Sequence, residues 1–429
     1  MFTSSANNVL VKNTSWKVVV PFYVYAALSF LAATILLFFS FPAFTQHYFH
    51  PQTLAVTHVM ALGWGTMVIL GASHQLIPVL VEGKLYSNAL AYLSFVTAAV
   101  GIPLLIVGFY NFYFGWLTQL GGILINAAIL CYLVNIAVSM SKSKKENVHA
   151  VFAFTASLWL LMTTLVGLFL IYNFTYNLLS KDSLAYLPLH AHLGIIGWFL
   201  LLVIGVGSRL IPMFLISKYD NKKLLWRIYY LINFALIVFI ICFLYININW
   251  LYLIPLAIIL LAVFIFGWFG YNAYANRLRK KVDSPLKVSL LSVVMMMMPL
   301  VILFIIISVL LFSVDNFSLV LTYGFCIFFG WITAIIFGMT FKTLPFMLWN
   351  KAYHGRVGMG KTPSPKELFS SQIFKVMVML YLAGFVMFIA GIFLSNILLL
   401  KVAACLLFDA AVLYNGNVFK MVSHTPEKS

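Results

Sequence analysis

Three histidines carry the chemistry that this sequence offers. His58 lies in the stretch THVMALGWGTMVILGASHQLIPVL, from Thr57 to Leu80; His190 and His192 lie in LHAHLGIIGWFLLLVIGVGSRLIPMFL, from Leu189 to Leu215. Both stretches are long and apolar, so these imidazoles sit where water is scarce. Histidine at such a depth has three physical uses: metal or haem ligation, proton relay, or a satisfied polar contact. His58 and His192 each lie six residues before a tryptophan, Trp64 and Trp198. Two helices that offer one imidazole each at matched depth could supply both axial ligands of a haem, with apolar walls, Trp64 and Trp198 among them, around the porphyrin. His190 and His192 are two residues apart, or about 200° around a helix, so one helix can serve a site on each flank. The bland alternative is that all three are polar residues at helix starts, bonded to loop carbonyls.

The elements that must position these side chains follow from the same frame. Aligned on Gly63-Trp64 and Gly197-Trp198, the two stretches keep Gly71 and Gly205 seven residues after the Trp, and Pro78 and Pro212 fourteen after it. A third stretch, Thr322 to Leu348, keeps Gly330-Trp331, Gly338 and Pro345 at those offsets, with Phe325 in the histidine position. Apolar runs of about 20 residues or more recur along the chain and mark membrane-spanning helices. Twelve are expected, near 16–40, 52–80, 86–110, 114–140, 149–174, 187–216, 224–246, 248–273, 288–312, 317–348, 371–395 and 396–418. Spans 2, 6 and 10 share the frame, so the chain reads as three copies of a four-helix unit, near 1–140, 141–283 and 284–429. Four is even, so all copies run the same way and can close into a ring about the membrane normal. The expected fold is an all-α polytopic membrane protein with twelve helices in three pseudo-symmetric four-helix arcs.

Composition excludes the soluble classes. The 429 residues are 64% hydrophobic and 8% charged, with mean hydropathy +1.05. A net charge of +17 would suggest nucleic acid in a soluble protein, but here the basic residues punctuate apolar runs. The N-terminus, the even-numbered loops and the C-terminal tail hold 22 of the 26 Lys and Arg. That asymmetry puts both termini in the cytoplasm, in a bacterial-type inner membrane, with the lipid bilayer as first partner. The polar first 15 residues offer no small-residue cleavage site, so the first helix serves as the signal. Cys131, Cys242, Cys326 and Cys405 are scattered singly, with no CxxCH for a covalently attached haem.

Other polar residues bear on alternatives. His74 lies sixteen residues after His58, about 24 Å deeper, and cannot share a metal with it. Arg209 and Lys342 each lie three residues before the frame proline, with Gln75 beside His74 at the same offset. His74, Arg209 and Lys342 could line a polar path near the inner surface, the feature that a transporter or channel would need. Of nine acidic residues only Asp409 is clearly inside a span, so redox-driven proton pumping is not supported. His47 and His50 lie in the first outer loop and could contribute to a surface metal site. Lys401 begins span 12; it could pair with a haem propionate or reach outward to headgroups. The loop motif HGRVGMGKTPSP lacks the GxxxxGK[ST] spacing of a phosphate loop and reads as a basic cytoplasmic connection.

The ensemble resembles subunit I of the haem–copper oxidases and nitric oxide reductases. Twelve spans in three parallel arcs match that architecture over the whole chain. LHAHLGIIGWFLLLVIGVGSRLIP is similar to the family's HxH helix, and THVMALGWGTMVILGAS to its second helix. The resemblance implies low-spin haem ligation by His58 and His192, with His190 serving a second, high-spin haem or metal. Here the HxH pair sits on span 6 rather than span 10, and the family's copper-site histidines have no counterpart. In size and in lacking a copper site the chain is similar to the divergent branch that includes the NnrS proteins. The implied function is a haem-b-binding membrane protein with one or two haems and no copper, working in electron transfer or in NO or O2 handling. Its implied partners are a cytochrome or quinol electron donor and further redox subunits. A third alternative, a non-catalytic assembly subunit, would keep the scaffold without the chemistry.

Overall fold

The computed structural model describes residues 14–143, 147–278, 280–312, 316–353 and 362–425; the expectations for the first 13 residues and for the HGRVGMGK stretch of the long basic loop lie outside them. Twelve helices are long and apolar enough to cross a membrane: Trp16–Thr45, Pro51–Leu80, Asn88–Tyr110, Trp116–Ser141, Val148–Tyr176, Ser183–Leu215, Lys222–Ile246, Asn249–Ala275, Ser284–Leu310, Phe317–Tyr353, Ser371–Phe393 and Ile397–Val422. Helices are the expected answer in hydrocarbon, where every backbone amide must be satisfied within the segment. Their starts are written locally. Ser15, Ser87, Asn147, Asn221, Asp283, Asn316, Ser370 and Asn396 each accept a hydrogen bond from an amide of the first turn.

Spans 2, 6 and 10 form the centre. Their most apolar windows are 78%, 61% and 78% buried, whereas no other span among the described residues exceeds 44%. The remaining spans surround them and close the ring. Span 4 packs on span 5, span 8 on span 9, and span 12 on span 1, where Asn415 Nδ2 donates to Ala27 O at 2.9 Å. The frame glycines mark where each central span meets the first helix of its own arc. A methyl at Gly71, Gly205 or Gly338 would collide with Phe22, Phe152 or Ser289 respectively.

A shared irregularity was not legible beforehand. Each central span changes from α to π winding directly after the histidine position: Val59–Thr66, Leu193–Leu200 and Cys326–Ile332. Such segments are rare and favour functional sites.

The frame tryptophans join the central spans. Trp64 Nε1 donates to Thr333 Oγ1, and Trp198 Nε1 to Thr66 Oγ1, both at 3.1 Å. Each acceptor lies two residues past the Trp of the neighbouring span. On span 6 that position is Leu200, and the buried Trp331 Nε1 has no acceptor. Thr333→Val and Thr66→Val keep the side-chain shape and strand a buried indole N–H. Each is expected to lower the unfolding free energy by about 1–3 kcal/mol, read as a lower Tm of the purified protein. An unchanged Tm would show that these bonds do not join the spans.

Candidate cofactor site

The central spans enclose two cavities, one on each flank of span 6. The first has a volume of about 290 Å³ and is lined by His58, His190, Trp198, Phe109, Phe114 and Ile125 among others. The second, about 480 Å³, is lined by His192, Tyr323, Phe239, Tyr252 and Leu256 among others. His190 and His192 thus serve opposite flanks, as their spacing requires.

The three imidazoles are held alike. His58 closes the α-helix Pro51–His58, and its Nδ1 lies 2.8 Å from Leu54 O, one turn back. His192 Nδ1 lies 2.7 Å from Pro188 O, also one turn back. His190 Nδ1 reaches across to Thr163 O of span 5 at 3.0 Å. A carbonyl can only accept, so Nδ1 carries the proton in each ring and Nε2 is left as the lone-pair nitrogen; the tautomers are assigned from these bonds. This is the state a metal-binding imidazole needs, its other nitrogen anchored to fix the ring.

The pairing differs from the expectation. His58 faces His190, not His192: their ring centres are 6.2 Å apart and the planes 18° from parallel. His192 faces Tyr323, whose hydroxyl lies 3.3 Å from His192 Nε2. The reason is rotational. His58 and His192 occupy equivalent positions in a ring, so both point in the same rotational sense and cannot face each other. The residue six before one Trp instead meets the residue eight before the next Trp. That rule pairs His58 with His190 and His192 with Tyr323. At the third boundary the same offsets carry Phe325 and Val56, and Phe325 stacks with Phe329, Phe385 and Phe388 at 4.7, 5.8 and 4.4 Å. That boundary is closed by phenylalanine.

Two imidazoles with free Nε2 atoms, in an apolar cavity, fit a flat metallocofactor. With a metal–imidazole bond of about 2 Å, two rings on one ion have centres about 6 Å apart, close to the spacing found. A bare ion would need about four protein donors, and among the described residues no group of three or more His, Cys, Asp and Glu gathers. A haem brings its own equatorial nitrogens and asks the protein for two. Gly167 makes room for the arrangement, since a methyl there would lie 2.8 Å from His190 Cε1.

Other expected site residues fall elsewhere. Trp198 lines the first cavity, but Trp64 stacks on Phe30 at 4.7 Å within the core. Lys401 is exposed on span 12 and lines neither cavity, so it is not placed for a propionate there. The residues of the expected polar path have separate surroundings. His74 is buried between Phe22 and Tyr132, Arg209 is exposed, and Lys342 is ion-paired with Asp283. His47 accepts from Phe49 N and packs at a tilt against Phe317, and His50 caps span 2; no third donor makes a surface metal site of them among the described residues. Thr163, Gly167 and Tyr323 were missed. Tyr323 stands in His190's frame position, eight before the Trp, and alignment at that offset would have found it.

No protein-family model matches the sequence, and no curated protein matches it. The three-dimensional structure is similar to that of a haem–copper terminal oxidase solved as a dimer by cryo-electron microscopy. At 9% identity the TM-score is 0.67, and the match covers 97% of this chain and 86% of that one. The chain therefore has the twelve-helix fold of a haem–copper oxidase subunit I.

Proposed function

We propose that the chain is a haem-b-binding membrane protein in which His58 and His190 supply both axial ligands. The observation that carries the reading is the His58–His190 pair: two anchored imidazoles, ring centres 6.2 Å apart, in one apolar cavity. Haem bound there supplies reversible one-electron chemistry. Haem held by both His58 and His190 would carry electrons rather than bind NO or O2 at this site. The absence of CxxCH makes the attachment non-covalent. The charge asymmetry of the loops supports a reading with both termini in the cytoplasm of a bacterial-type inner membrane and the site toward its outer face. Redox subunits able to accept or donate electrons are the partners this role requires.

The reading is tested with the purified full-length chain. A reduced-minus-oxidised spectrum should show a low-spin b-type signal. His58→Ala and His190→Ala should each abolish it, and His192→Ala should retain it. A colourless wild-type protein, or a signal that survives both losses, would overturn the proposal. Gly167→Leu supplies an independent check, because it pushes on the His190 ring without replacing a ligand residue. It should cut haem content several-fold, while overpacking costs about 1–3 kcal/mol of stability. Full haem loading in that variant would contradict the placement of His190.

A further inference from the structure

The cavity on the other flank of span 6 differs in chemistry from the first. It is the larger, about 480 Å³, and its walls come mostly from spans 6 to 10. Leu300 and Leu310 of span 9 both line it, so it runs about 15 Å along that helix. Leu303, Ile306 and Leu310 are half-buried and Phe317 is 43% exposed, so the cleft opens along an apolar edge. No Asp, Glu, Lys or Arg stands among the described residues that line it. Within it, one donor meets one acceptor: Tyr323 Oη lies 3.3 Å from His192 Nε2, longer than a well-formed bond from a hydroxyl, about 2.8 Å. His192 Nδ1–H is committed to Pro188 O. His47, the other imidazole of the lining, spends Nδ1 in accepting from Phe49 N, so the paired free Nε2 atoms of the first cavity are not repeated here. The same boundary lacks the indole–threonine bond that ties span 2 to spans 6 and 10. Leu200 stands where the acceptor would be, and the Trp331 N–H is left without one.

We propose that this second cavity binds a long-chain fatty acid, with its carboxyl group on His192 and Tyr323 and its chain along the apolar cleft. A carboxylate buried without a cation is costly, so the neutral acid is the species that fits. It carries one O–H donor and one carbonyl acceptor. The acid O–H donates to His192 Nε2 and the acid carbonyl accepts from Tyr323 O–H, each bond on its own oxygen. Both protein groups already stand side by side, so the headgroup needs only to replace their long mutual contact. It then bridges spans 6 and 10 at the boundary where the protein supplies no Trp–Thr bond. Ile196, one turn deeper than His192, and Leu319, one turn nearer the start of span 10 than Tyr323, are apolar members of the lining, so the headgroup is enclosed by hydrocarbon. A phospholipid fits less well, because its phosphate would meet no cation among the lining residues. This binding does not rest on the haem reading of the first cavity.

The test uses the purified full-length protein with tritiated palmitic acid as probe, read by scintillation proximity. The wild type should bind it saturably. Tyr323→Phe, which removes the donor, should weaken binding about tenfold, and His192→Phe at least as much. Methyl palmitate has no O–H for His192 and should compete about tenfold more weakly than the unlabelled acid. Leu256→Trp should abolish binding by filling the cleft, with the helix content by circular dichroism unchanged. His58→Ala should bind palmitic acid as the wild type does, which separates failure of this proposal from failure of the haem reading. No saturable binding by the wild type, or equal affinity in Tyr323→Phe, would overturn the proposal. Competition by methyl palmitate equal to that of the acid would also overturn it, by showing that the cleft holds the chain without reading the carboxyl group.

Discussion

In a ring of helices that all run the same way, each inner helix shows one flank to the neighbour before it and the other to the neighbour after it. Equivalent residues on the flanks of such helices do not face each other. Flank contacts form between different positions of the repeated frame, and the site follows from this constraint. It sets His58 against His190, His192 against Tyr323, and the Trp64 and Trp198 indoles against the threonine position of the preceding span. One constraint thus yields three boundaries of different chemistry: two imidazoles, an imidazole with a phenol, and a stack of phenylalanines.

What turns these boundaries into candidate sites is the treatment of Nδ1. Backbone carbonyls at Leu54, Thr163 and Pro188 hold the three rings. Two of those carbonyls lie four residues before their histidine, on the same helix. Side-chain direction is therefore fixed by the helix itself before any partner arrives, and the entropy of orienting the ring is lost on folding rather than on binding. The π segments begin at the next residue in both histidine spans. They shift the winding below the site, which sets how the Trp girdle sits beneath it.

Much of the fold was legible because hydrocarbon leaves the chain little choice. Apolar run length located all twelve spans, and the shared Gly-Trp frame picked out the central three, which are the most buried. The histidines were legible as well, and so was the opposition of His190 to His192, since it depends on helix period alone. The pairing was not. Matched depth of His58 and His192 suggests partnership, but rotational sense, which decides it, leaves no trace in a single sequence. Phe325 could be seen to replace a histidine; its place in an aromatic stack depends on Phe385 and Phe388 of span 11, sixty residues on. Lys401 and Arg209 carry charges that could serve a site or reach outward, and only packing separates the two outcomes.

Low-temperature electron paramagnetic resonance of the oxidised, full-length protein tests the central claim most directly. Two imidazoles on one ferric haem should give a low-spin signal of roughly one spin per chain. A spectrum showing only high-spin ferric haem, or no ferric haem at all, would contradict the pairing of His58 with His190.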